Sequence, residues 1–276
     1  MQEGKPEPED ASPTACLNCG EKLLGEFCWR CGQEAADFHR PLRSLASDFL
    51  ENVLNLDSKL LRTLGPLLLK PGRLTREYLA GRRATYVRPL KLYLLAALLS
   101  FGALAIWPGS IVQVVGKPTR PVGEGVDVPT SLDAGFLNAA ADPQRFREAV
   151  AANLQKAFFL LLPAFALLLK LLYVRQGSLY LDHLIFALHF HAFAFALLAA
   201  LVLLGAAEVP RPVLAPVAVM AWLWIFVYLF LSLRRVYGGS RLAVALRFGA
   251  LLVSYGIVFV SALIGLMMLT VYRFQD

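Results

Sequence analysis

Five apolar runs, at residues 90–107, 157–174, 181–207, 213–233 and 248–272, constrain this chain more than anything else in it. The last run is 25 residues without a charge. Runs of about 18 residues or more with few charges are what a helix rising ~1.5 Å per residue needs to cross a ~30 Å hydrocarbon layer. A soluble core can hide one such run, but not five. They also explain the composition, which is 57% hydrophobic over 276 residues with a mean hydropathy of +0.57. Soluble domains run roughly 45–50% apolar. The expected fold class is all-α and polytopic, with about five transmembrane helices.

Loop charge orients these spans. The stretch before the first span is basic, as are the turns carrying Lys170 and Arg175, and Arg234, Arg235, Arg241 and Arg247. The alternate connections are not: 108–153 carries four basic and five acidic residues, and Glu208 stands against Arg211. An N-in, C-out arrangement puts every basic loop on one side and makes 108–153 an extracytoplasmic loop. Residues 1–14 are acidic and proline-containing with no apolar core, and read as a disordered leader rather than a signal peptide.

The net charge of +7 and pI near 9.4 come largely from one segment. Between Lys59 and Lys91 lie nine basic residues against the single acid Glu77. A basic block beside a first span is drawn to anionic lipid, at about 1 kcal/mol per Lys or Arg near the surface. The expected lipid-binding residues are Arg73, Arg76, Arg82, Arg83, Arg88 and Lys91, and no nucleic-acid partner is expected. Within 40–88, Leu42, Leu45, Ala46, Phe49, Leu50, Val53 and Leu60 recur at helical spacing. A second apolar piece, 64–69, reads as broken by Gly65 and Pro66, and Thr75 reads as the N-cap of a short helix ending at Gly81. These pieces are too short to span and are expected to lie in the membrane interface.

All four cysteines fall in residues 15–34, as Cys16, Cys19 and Gly20, then Cys28, Cys31 and Gly32. The doubled C-x-x-C-G predicts two knuckles around a structural zinc ion, each glycine allowing a left-handed turn behind the second cysteine. Four thiolates close such a site to substrate. Leu24, Phe27 and Trp29 are the apparent core-formers, too few to fold a ribbon without metal. A redox cysteine pair and an iron–sulfur centre are the rival readings. Reduced thiols place the module in the cytosol.

The stretch from Cys16 through Phe27 and Cys28 to Gln33 resembles the N-terminal ribbon of a bacterial membrane-protein family designated domain of unknown function 3667. The segment with Asp57 and Ser58, then Leu69 to Gly72, Glu77 to Arg83, Tyr86 and Pro89, resembles that family's next part. The likeness covers about residues 16–95 and returns around Asp182 and His183. It implies an inner-membrane protein with this architecture and carries no activity with it.

The third span holds three of the four histidines, at His183, His189 and His191, beside Asp182. At ~100° per residue, Asp182 and His189 share a stripe while His183 and His191 point elsewhere, so one helix cannot gather all three around a metal. Intramembrane ionisable groups are candidate functional sites, and interhelical hydrogen bonding is their structural alternative. In the last span, Ala250 with Ser254 and Ser261 with Gly265 have the small-residue spacing that favours close helix packing, including homo-oligomers. No catalytic motif is visible. Three functions remain open: a non-enzymatic inner-membrane protein whose ribbon docks a cytosolic partner, a small transporter or channel using the third span, and a membrane enzyme with metal or haem on the histidines.

Overall fold

The computed structural model describes residues 14–35, 58–107 and 143–273. The expected leader up to residue 13, the amphipathic stretch before Ser58, and loop residues 108–142 lie outside the described residues. The described helices are α1 (Ser58–Leu69), α2 (Arg73–Leu79), α3 (Pro89–Ile106), α4 (Pro143–Leu172), α5 (Tyr180–Ala206), α6 (Arg211–Tyr237) and α7 (Arg241–Tyr272). Among the described residues the only β pairing is two isolated bridges, Ala15 with Lys22 and Phe27 with Glu34.

Four helices, α3, α5, α6 and α7, are long and apolar enough to cross a membrane. The second expected span is the apolar end of α4, Ala157–Leu172, which is shorter. It continues a helix of 30 residues that starts at Pro143, ~45 Å long. The fifth run starts earlier than its apolar residues suggest, because Ser240 caps α7 by accepting from the Ala243 N–H at 3.3 Å. That extension draws Arg241 and Arg247 into the helix, and the Arg247 guanidinium lies 4.8 Å from the Tyr173 ring centre.

α5 is the hub. It packs most extensively on α3, then on α4, and also touches α6, α1 and α2. Of its most apolar 18 residues 61% are buried, against 6% for α7, so α5 is enclosed by protein while α7, packed chiefly on α4, keeps an open face. The small-residue positions Ala250, Ser261 and Gly265 lie on that open surface. Apolar burial gives helices in lipid little reason to associate, so close packing and interhelical hydrogen bonds must hold them. Both are present. Phe193 stacks on Tyr228 at 3.7 Å and Phe165 on Phe190 at 5.5 Å. The Ser100 hydroxyl of α3 donates to the Phe195 carbonyl of α5 at 2.6 Å, and Asn153 of α4 donates to Thr270 of α7 at 3.3 Å.

Two local expectations are overturned. Pro66 does not break α1, which runs unbroken from Ser58 to Leu69. Tertiary packing supports it there, since Leu67 is buried and its carbonyl accepts from the Tyr228 hydroxyl at 2.7 Å. Thr75 is not an N-cap. α2 starts at Arg73 behind Gly72, and the Thr75 hydroxyl points into the bundle. α1 and α2 form a hairpin that packs against α5 and α6. At the turn, Gly72 has φ +68°, and an added Cβ would meet the Ser232 backbone at 3.0 Å. Arg235 donates to the Pro71 carbonyl at 2.6 Å.

Candidate functional site

Each knuckle closes on backbone bonds of the same pattern. The Cys16 N–H donates to Glu21 and the Gly20 N–H to Cys16, while the Cys28 N–H donates to Gln33 and the Gly32 N–H to Cys28, all at 2.8 Å. Gly20 and Gly32 take φ of +77° and +71°, as the motif required. The four sulfurs lie within 4.8 Å of one another, with Cys16–Cys31 and Cys19–Cys28 at 3.5 Å. Such a cluster can hold a metal ion, and among the described residues it is the one group that gathers three or more ligand side chains. Burial pushes the Cys28 thiol up, but the backbone N–H groups of Cys31 and Arg30, with the neighbouring thiols, outweigh it and bring it down to about 7.

Leu24, Phe27 and Trp29 do not form the core expected of them. They are 79%, 59% and 66% exposed, while Cys16 and Cys28 are the buried apolar residues of the module. About twenty residues folded around four sulfurs cannot also enclose three large side chains.

The inward face of the module is fastened to the chain's own juxtamembrane loop. Gln33, directly after the last knuckle, does most of this. Its amide donates to the Gly81 carbonyl at 2.7 Å, and its oxygen accepts from the Arg83 and Ala84 N–H groups at 3.1 Å. Thr85 donates to the Asn18 side chain at 2.9 Å. Leu17 covers Gly81, where a Cβ would meet its Cδ1 at 2.6 Å. Gly81, at φ +85°, ends α2 in a Schellman turn, with Arg82 N–H to Glu77 at 2.9 Å and Gly81 N–H to Tyr78 at 3.0 Å. Residue typing alone could not find Gln33 or Asn18. Their position beside cysteine knuckles was the available signal.

The expected lipid-binding residues divide. Arg82 pairs with Glu77 at 2.8 Å and Arg73 lies 3.7 Å from it, while Arg83 sits 5.0 Å from the Tyr78 ring centre. Arg76, Arg82 and Arg88 are exposed, whereas Arg73, Arg83 and Lys91 are half-buried.

The third-span residues are separated rather than gathered. Asp182 accepts from the Leu179 N–H at 2.9 Å and caps α5. His183 bonds the Tyr237 hydroxyl of α6 at 2.8 Å, His189 bonds Thr75 of α2 at 3.1 Å, and His191 bonds the Tyr255 hydroxyl of α7 at 3.0 Å. His191 also bonds the Ala187 carbonyl at 2.8 Å. Three rings thus tie α5 to three different elements. Tyr173, Tyr237 and His183 form a continuous stack at 4.0 and 5.4 Å. These tyrosine and threonine partners escaped sequence reasoning because each is remote in the chain.

Residues 57–101 match a family described as protein of unknown function (DUF3667). The matched stretch is the hairpin, the loop that Gln33 grips, and most of α3. No curated protein and no solved structure matches the chain.

Proposed function

We propose that this is a non-enzymatic, five-span protein of the bacterial inner membrane, N-terminus in the cytosol, whose zinc-held ribbon docks a cytosolic protein. The observation that carries the reading is that the ribbon is fastened to the chain while three of its large apolar side chains stay exposed. Gln33, Asn18 and Leu17 fasten it to the loop at residues 81–85, while Leu24, Phe27 and Trp29 stand exposed. Three large apolar side chains on a module this small are an adhesive patch, held at a fixed place relative to the first span. Zinc suits the cluster. Zinc–thiolate bonds of ~2.3 Å give a tetrahedron with edges of roughly 3.8 Å, and the sulfur pairs at 3.5 Å are close to that. The exposed Arg76 and Arg88 reach for anionic headgroups on the same side.

Trp29→Ser with Phe27→Ser tests the docking. Wild type and variant, both carrying one zinc per chain, are captured from membranes after crosslinking through a photoreactive residue at Leu24. The variant should lose a crosslinked partner that wild type retains. Identical crosslinks in both would remove the docking claim.

A second reading, a small transporter, draws on one observation: buried His189 is bonded to a residue of the hairpin rather than to a span. His189→Ala would then abolish solute or proton flux in proteoliposomes while assembly persists.

A further inference from the structure

Thr75, His189 and Ser232 come from α2, α5 and α6 and line one small pocket beneath the hairpin, with Tyr228 beside them. All are enclosed: Thr75 and Ser232 are 2% exposed, His189 is 6% and Tyr228 is 4%. Ser232 stands out among the helical hydroxyls. Ser100, Ser254 and Thr270 each return a bond to the carbonyl four residues back, at 2.8–2.9 Å. Ser232 makes no such bond, and its Oγ has no hydrogen-bond partner among the described residues. Leaving a buried hydroxyl unsatisfied costs about 1–3 kcal/mol, and two aromatic neighbours, Phe186 and Phe190, offer it nothing.

Each other polar group around the pocket retains bonding capacity after its known bond. Thr75 is engaged with His189 at 3.1 Å, and a hydroxyl has one donor and two acceptor sites. Tyr228 donates its proton to Leu67 at 2.7 Å and its oxygen also meets the Gly72 backbone, leaving one acceptor site. The pocket has room for about one water molecule. A buried water requires two to four polar partners, and the three elements supply them. Among the described residues no Asp, Glu, Lys or Arg lines the pocket, so a neutral occupant fits it better than an ion.

We propose that this pocket binds a single ordered water that links Ser232 of α6 to the Thr75–His189 pair, joining the α1–α2 hairpin to the bundle. His189 and Tyr228 are each nine residues from a helix end, Tyr180 and Tyr237. That depth is ~13 Å along the axis. The water would be held well inside the protein, at the joint between a short hairpin and two long helices.

Water-edited solid-state NMR on the full chain in lipid, labelled at histidine, reads the site directly. The His189 ring should show transfer from water in wild type and lose most of it in Ser232→Ala. No transfer in wild type, or transfer unchanged in Ser232→Ala, overturns the proposal. Melting supplies an independent sign. With a bound water, Ser232→Ala lowers the melting temperature by about 2–4 °C. A dry pocket makes the same substitution remove an orphan hydroxyl, and the melting temperature rises. Thr75→Val combined with Ser232→Ala should be non-additive, because the water couples them, and strict additivity also overturns it.

Discussion

Replacing Gln33 with leucine tests whether that side chain does most of the work of holding the cysteine module to the membrane domain. The substitution deletes three hydrogen bonds: one donated to the Gly81 carbonyl at 2.7 Å, and two accepted from the Arg83 and Ala84 N–H groups at 3.1 Å. At about 1 kcal/mol net each, discounted because the site is only partly buried, the loss is about 2–3 kcal/mol. That converts to roughly a 30- to 150-fold rise in opening of the contact. Hydrogen exchange reads it at the bonds themselves. The Arg83 and Ala84 amides should exchange faster by that factor, while amides within α5 keep their rates. Gln33→Glu should fall between, because a carboxylate still accepts from both N–H groups but cannot donate to Gly81. Metal content should match wild type in both, since Gln33 side-chain atoms take no part in the knuckle bonds. Unchanged exchange at Arg83 and Ala84 in Gln33→Leu would refute the reasoning.

Other outcomes follow from the same geometry. Gly81→Ala places a Cβ against Leu17 at φ +85°, where the left-handed backbone alone costs about 1–2 kcal/mol. It should lower the melting temperature, and a variant as stable as wild type would contradict this account. Metal removal by chelator should open residues 14–35 to proteolysis while the far-ultraviolet circular dichroism of the long helices stays nearly constant. Acid should do the same, because each ligand must be a thiolate, so binding releases protons and weakens as pH falls. A double-mutant cycle of His191→Phe and Tyr255→Phe, read by unfolding in detergent mixtures, should give a coupling of about 0.6 kcal/mol, the usual size for such bonds in membranes. Zero coupling would mean the 3.0 Å contact contributes nothing.

Residue type and spacing along the chain were enough to mark the long apolar helices and the cysteine knuckles with their left-handed glycines. Both are local: a span needs a continuous apolar run, and a knuckle needs its cysteines and glycine within five residues. Helix boundaries were less legible, because Ser240 and the ring of Tyr173 let α7 take in charged residues that hydropathy excludes. The hairpin was misread for a related reason. Pro66 and Thr75 have strong local preferences, and bonds from residues more than a hundred positions away override them. Only the folded bundle decided that Leu24, Phe27 and Trp29 face outward, that Gln33 grips the next segment, and that three histidines serve three different neighbours. A linear pattern states which side chains share a face of one helix. Which partner fills that face is set by how several helices settle together.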